Sequence, residues 1–153
     1  MLVKTRYFGE VELDDDKILT FDRGIIGFEQ LRRFTLIYNN ENGSDTAITW
    51  LQSVEEPSMA LPVINPNSVL TDYNPEVEDS LLASLGELGP DNTCVFVTLT
   101  VPSDITKMTT NLKAPIIINA DTKKGIQVIA ENDYAVKFNI YDVISKLKRE
   151  KGE

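Results

Sequence analysis

The chain has 153 residues, of which 42% are hydrophobic and 25% charged, and it carries a formal net charge of −9. That length supports one domain with a real core, while the acid excess disfavours direct contact with nucleic acid, which needs a basic footprint, or with an anionic membrane surface. There is no histidine, which removes the commonest general base, the commonest zinc ligand and every Ser–His–Asp or Cys–His arrangement, so neither catalysis nor a metal or cofactor is expected.

Most of the chain reads with a period of two. Val3, Thr5 and Tyr7 alternate with Lys4 and Arg6, and Val11 and Leu13 alternate with Glu10 and Glu12, predicting two short strands with a bend at Gly9. Asp14-Asp15-Asp16-Lys17 is a polar turn, and Ile18 to Phe21 a short apolar strand. A glycine-punctuated loop, Arg23 to Glu29, carries Phe28 as either a plug over a barrel end or a binding anchor. A strand beginning at Phe34, Leu36 and Tyr38 ends on a strong turn signal, Asn39-Asn-Glu-Asn-Gly43. Strands at Ile48 to Ser53 and Ala60 to Ile64 follow, and Trp50, the only tryptophan, reads as a packing residue.

One segment changes period. Val77, Leu81 and Leu85 recur at helical spacing, with Asn74 as N-cap, Pro75 at the first helical position and Gly86 and Gly89-Pro90 as stops, which predicts a helix near 75–86. Glu76, Glu78 and Asp79 then fall in its first turn, where they favour the helix dipole. Strands resume at Val95 to Val101, Pro115 to Asn119, Ile126 to Ala130 and Tyr134 to Ile140, with turns at Asp121 to Gly125 and Glu131 to Asp133. Ile140, Ile144 and Leu147 share one helical face, and the tail over 141–153 is charged. It reads either as an amphipathic helix packed on its own domain or as a docking or disordered tail. The expected fold is mainly β, an antiparallel barrel or sandwich of about nine or ten short strands with one short helix, in a single domain over 1–153.

No motif carries catalytic chemistry. Cys94 is the single cysteine, excludes an internal disulfide and reads as an inert packing residue. Asp14-Asp15-Asp16 lacks calcium-loop spacing, and Gly24-Ile-Ile-Gly27 lacks the Lys-Ser/Thr pair of a phosphate loop. Glu55-Glu56 and Glu76/Glu78 are carboxylate pairs on which a hydrolase could in principle be built. No apolar run approaches the roughly 20 residues that span a bilayer, and the N-terminus lacks a signal-peptide core, so a cytoplasmic location is expected. Charge is unevenly distributed: from Phe34 to Thr106 there are eleven acids and no lysine or arginine. That region is either a solubilising surface or a face for a basic partner.

Several blocks stand in order along the chain: Thr20-Phe-Asp-Arg-Gly-Ile-Ile-Gly-Phe-Glu29, then Leu51-Gln-Ser53 with Ala60-Leu-Pro-Val-Ile-Asn-Pro66, then Asp72-Tyr73 before a short acidic helix, and Thr110-Asn-Leu-Lys-Ala-Pro-Ile-Ile-Ile-Asn119 with Gln127, the clearest. As an ordered set they resemble the FliW family of flagellar assembly factors, the first being similar to the family's glycine–phenylalanine loop. The resemblance covers about residues 3–130; the tail after Phe138 is longer and more basic than in a minimal member. It implies a small β-rich pseudo-barrel that binds the translational repressor CsrA and also flagellin, acting as a CsrA antagonist that docks beside the RNA site and relieves repression of flagellin translation. Asp72, Tyr73 and Glu76 are the partner-contact candidates by motif position. Glu78 and Asp79 join them on electrostatics, and a monomeric free state is expected. The alternatives are a β-barrel chaperone or adaptor for another secreted subunit, and a carboxylate-based hydrolase.

Overall fold

In the computed structural model, which describes residues 1–38, 48–68 and 70–150, eleven short strands and two helices account for the regular structure. The turn signal at Asn39 to Gly43 lies outside the described residues. The strands are β1 (Leu2–Lys4), β2 (Glu10–Glu12), β3 (Leu19–Thr20), β4 (Arg33–Tyr38), β5 (Thr49–Ser53), β6 (Ala60–Ile64), β7 (Thr93–Thr100), β8 (Thr109–Thr110), β9 (Ile116–Asn119), β10 (Lys124–Gln127) and β11 (Phe138–Asn139). The helices are α1 (Asp79–Leu82), extended by a 3₁₀ turn over Ala83–Leu85, and α2 (Tyr141–Glu150).

The hydrogen-bonded circuit β7-β6-β5-β4-β3-β10-β9 returns to β7 through a β7–β9 pairing, so seven strands close a barrel. All its pairings are antiparallel except β3–β10, a parallel contact at Thr20 and Lys124. Period-two alternation sorts the side chains. Leu19, Phe34, Leu51, Val63, Phe96, Ile116 and Ile118 point inward and, with Phe21 and Ile25, form the interior core. The alternate residues of β6 and β7 (Ile64, Val97 and Leu99) face outward. There they are covered by Tyr73, Met108, Leu112, Ile140 and the first turn of α2. Ile117 on β9, Ile126 on β10 and Val128 just beyond it face outward and are covered by Val77, Leu81, Leu82, Leu85 and Leu88. The apolar residues of the predicted helix thus pack on the barrel, although Val77 does so from outside the helix.

The loop at Arg23 to Glu29 plugs one barrel end, but with Ile25 rather than Phe28. Ile25 is buried in the interior core, bridged to Phe28, and Phe28 stays 40% exposed. Gly24, at φ +65°, lies so close to Glu29 that a Cβ would sit 2.6 Å from its backbone, so glycine is required both for conformation and for space. Separately, β1 and β2 form a hairpin bent at Gly9 (φ +66°). It lies over the outer face of β5, where Tyr7 packs on Trp50 at 4.6 Å and the Arg6 amide donates to Gln52 Oε1 at 3.0 Å.

Two differences from the periodicity have tertiary causes. The strand expected over Tyr134 to Ile140 shrinks to Phe138–Asn139, because the Ala135 carbonyl leaves any ladder to accept from the Leu112 amide. The helix begins at Asp79, not at Pro75. The Asn74 amide donates to the Tyr134 hydroxyl, the Glu76 amide to Asn132 Oδ1, and the Glu76 carbonyl accepts from the Glu131 amide. These contacts hold 74–78 extended, so Asn74 caps nothing and Glu76 and Glu78 precede the helix; only Asp79 lies in its first turn.

Gly125 faces the interior directly beneath Phe21, and a Cβ there would meet the ring at 2.5 Å. Gly125→Ala is expected to overpack the barrel and to cost about 1–3 kcal/mol. Urea unfolding would show this as a lower midpoint with an unchanged slope.

Candidate functional site

The site is built on a break in the edge of β7. Phe96 pairs with Ile116 on β9 and Leu99 with Thr110 on β8, so two residues of β7 stand opposite the five residues 111–115. The loop that bulges out is satisfied from within and from both sides. Asn111 Oδ1 accepts from the Lys113 and Ala114 amides at 3.0 and 3.2 Å. Gln127 Nε2 donates to the Ala114 carbonyl, and the Ala130 amide to the Lys113 carbonyl.

Tyr73 is locked onto this bulge. Its side chain is 5% exposed, and its hydroxyl donates to the Leu112 carbonyl at 2.7 Å. Burial, with Tyr134 alongside adding to it, holds the Tyr73 hydroxyl well above the ordinary tyrosine pKa. Its ring packs on Tyr134 with centroids 4.7 Å apart, and its carbonyl accepts from Asn67 Nδ2 at 2.9 Å. On the far side, Asn132 joins three segments: its side chain takes the Glu76 amide and its carbonyl takes the Lys113 amine.

Between these segments lies an open cleft of about 330 Å³, lined by Leu70, Asp72, Tyr73, Leu112, Asp133, Tyr134, Ala135 and Phe138. The floor and walls are aromatic and aliphatic, and Asp72 and Asp133 are exposed. Neither carboxylate accepts a hydrogen bond or ion pair from the described residues. Glu76, Glu78, Asp79 and Glu131 are exposed close by in the chain, with Glu76 and Glu131 joined backbone to backbone at 2.7 Å. Of the five residues singled out in the sequence, Asp72 and Tyr73 therefore line one cleft. Glu76, Glu78 and Asp79 lead away from it along the extended segment into α1. Asp133 and Tyr134 were not singled out, because they read as a turn and a strand start 60 residues downstream. The one local signal was an aromatic beside an acid in both segments, Asp72-Tyr73 and Asp133-Tyr134.

Of the two carboxylate pairs considered for hydrolysis, Glu55-Glu56 is used otherwise. Glu55 Oε1 accepts from the Arg32 and Arg33 amides at 2.7 and 2.9 Å, and these bonds hold its carboxyl below the usual range. Glu56 is lowered likewise by the Ser58 hydroxyl and amide. A general acid needs the opposite shift. Among the described residues no group of His, Cys, Asp and Glu is arranged to hold a metal ion, and no helix is long and apolar enough to cross a membrane.

Fold and site together define a small closed β-barrel with satellite cores on its outer face and an acidic, aromatic cleft between them. The FliW protein family model matches residues 2–140. The chain is 53% identical to the flagellar assembly factor FliW of Lachnoclostridium phytofermentans, over all of this chain and 99% of that protein. It is 40% identical to that of Thermotoga maritima, over 97% and 98%. A crystal structure of the flagellar assembly factor FliW superposes with a TM-score of 0.83 at 30% identity, covering 92% of this chain and 97% of that one. The chain belongs to the FliW family, a family of flagellar assembly factors rather than of enzymes. The family match ends at Ile140, and α2 follows immediately.

Tyr73→Phe removes the hydroxyl and leaves the buried Leu112 carbonyl without its donor. It is expected to cost about 1–2 kcal/mol. The pH dependence gives a second check. Because the folded pKa is raised, the unfolded chain loses its proton first, so the contribution is intact below about pH 10 and is lost as pH rises beyond it. Denaturation series at neutral and alkaline pH should show the variant's deficit shrinking above about pH 10.

Proposed function

We propose that this protein is a cytoplasmic, non-enzymatic regulator that binds two protein partners in turn, CsrA and flagellin, and that its acidic face antagonises RNA binding by CsrA. Membership of the FliW family supports a role in flagellar assembly. The single observation that carries the electrostatic part is the exposure of Asp72, Glu76, Glu78 and Asp79 on one continuous segment. The competing explanation, stabilisation of the helix start, is narrow: Glu78 at the N-cap position makes no side-chain cap bond, and of these acids only Asp79 lies in the first turn.

An RNA-binding repressor must present basic surface. An acidic partner docked beside that surface is drawn to it by complementary charge and brings carboxylates near the RNA phosphates. Two unit charges about 10 Å apart interact by about 1.7 kcal/mol at an effective dielectric of 20. Several such repulsions lower RNA affinity by orders of magnitude without steric overlap, even after salt screening.

The test mixes the purified protein with CsrA and with flagellin across a salt series. CsrA binding should weaken as salt rises. Reversing Glu76, Glu78 and Asp79 to lysine together should cut CsrA affinity or RNA release at least tenfold while leaving the unfolding midpoint in place. Binding to neither protein would sink the assignment; CsrA binding indifferent to salt and to the triple reversal would sink the electrostatic mechanism.

A further inference from the structure

The cleft beside Tyr73 has a composition that an acidic surface patch alone does not have. One wall is Tyr134, held in place twice: its ring packs on the buried Tyr73, and its hydroxyl accepts from the Asn74 amide at 3.1 Å. Leu112, Leu70, Ala135 and Phe138 supply apolar surface, and Asp72 and Asp133 supply two carboxylates from opposite segments. Lys113 is the base nearest in the chain to the Leu112 wall, and its amine is taken by the Asn132 carbonyl. Lys137, one residue before Phe138, is exposed.

We infer that this cleft is the anchor point for a single cationic side chain, an arginine, presented by a basic protein partner. This rests on the reading that the chain binds such a partner, and it names the point of contact. Three properties of arginine match the three features of the cleft. Its methylene stem buries against Leu70, Leu112 and Ala135, as long basic side chains do on apolar surface. Its flat guanidinium stacks on a tyrosine face. Its fork of donors bonds carboxylates in a planar, often bidentate way. At about 330 Å³ the cleft lies at the bottom of the range of small-molecule sites, a size suited to one side chain rather than a nucleotide or an oligosaccharide. The walls are already ordered by Tyr73 and Asn132, so seating an arginine orders little besides the arginine. Interface anchors are commonly arginines entering ready-made pockets of this kind.

The experiment has a probe arm and a partner arm. In the first, the isotopically labelled full chain is titrated with N-acetylarginine amide and, as neutral isostere, N-acetylcitrulline amide, followed by NMR. The arginine compound should shift resonances of residues 70–73, 112 and 133–138, with affinity on the order of millimolar for so small a ligand. Asp72→Asn with Asp133→Asn, which alters exposed carboxylates only, should weaken the response at least tenfold; so should Tyr134→Leu. No localised shift, or an equal response to citrulline, overturns the assignment. In the partner arm, the Asp72→Asn/Asp133→Asn protein should bind CsrA at least tenfold more weakly than the unaltered chain. Equal binding by both overturns the anchor and leaves the proposed function standing. If the unaltered chain binds neither CsrA nor flagellin, the proposed function fails, and the titration still decides whether the cleft takes arginine.

Discussion

The exterior of this barrel is organised by one break in one strand edge. Between Phe96 and Leu99, β7 stops pairing with β9 and starts pairing with β8, and the five residues bridging that change bulge outward. Five consecutive residues out of register would leave several buried backbone groups without partners, at a cost of about 1–3 kcal/mol each. The chain avoids this by gathering donors and acceptors from distant segments: Asn111 from the bulge itself, Gln127 from β10, Ala130 and Ala135 from the loop beyond, and Tyr73 from the 65–78 excursion. The segments recruited to satisfy the bulge are therefore the ones that surround the cleft. The same hydrogen bonds that make the fold self-consistent place Asp72, Tyr73, Asp133 and Tyr134 together.

That dependence explains what could be read from the sequence. The antiparallel strands were legible, because inward and outward residues alternate on the long strands; alternation left barrel and sandwich open, and the family resemblance implied the closed form. The family blocks were legible too, and three of their side-chain amides serve loop backbone. Gln52 takes the Arg6 amide and donates to the Ser53, Pro57 and Met59 carbonyls. Asn119 takes the Asp121 and Thr122 amides and donates to the Leu85 and Glu87 carbonyls. Gln127 takes the Ile26 amide. Side-chain amides can offer a donor and an acceptor together, which a loop with unpaired backbone requires.

The helix start and the cleft were not legible, for one shared reason. Whether residues 74–78 coil or stay extended is decided by Asn132 and Tyr134, more than fifty residues away. Asn74-Pro75 is a sound local start signal, and tertiary hydrogen bonds override it. The same override moves Glu76 and Glu78 from the helix to an exposed extended segment, which changes what those acids are for.

How charge is used points in the same direction. Among the described residues the one ion pair is the N-terminal amine with Glu12, at 2.7 Å on the surface, a type of contact worth little to stability. Glu55 and Glu56 serve backbone amides. Asp72, Asp133, Glu78 and Asp79 serve neither a salt bridge nor a cap among the described residues. Burial, not charge, holds this fold: three apolar clusters, one inside the barrel and two outside it, account for the core. An acidic face that contributes nothing to folding costs the compact state some self-repulsion. Under the proposed function that repulsion is relieved when a basic partner docks. Ile25 fills its end of the barrel, and under the proposed function recognition uses the outer surface, where the bulge has assembled an aromatic wall beside the exposed Asp72 and Asp133.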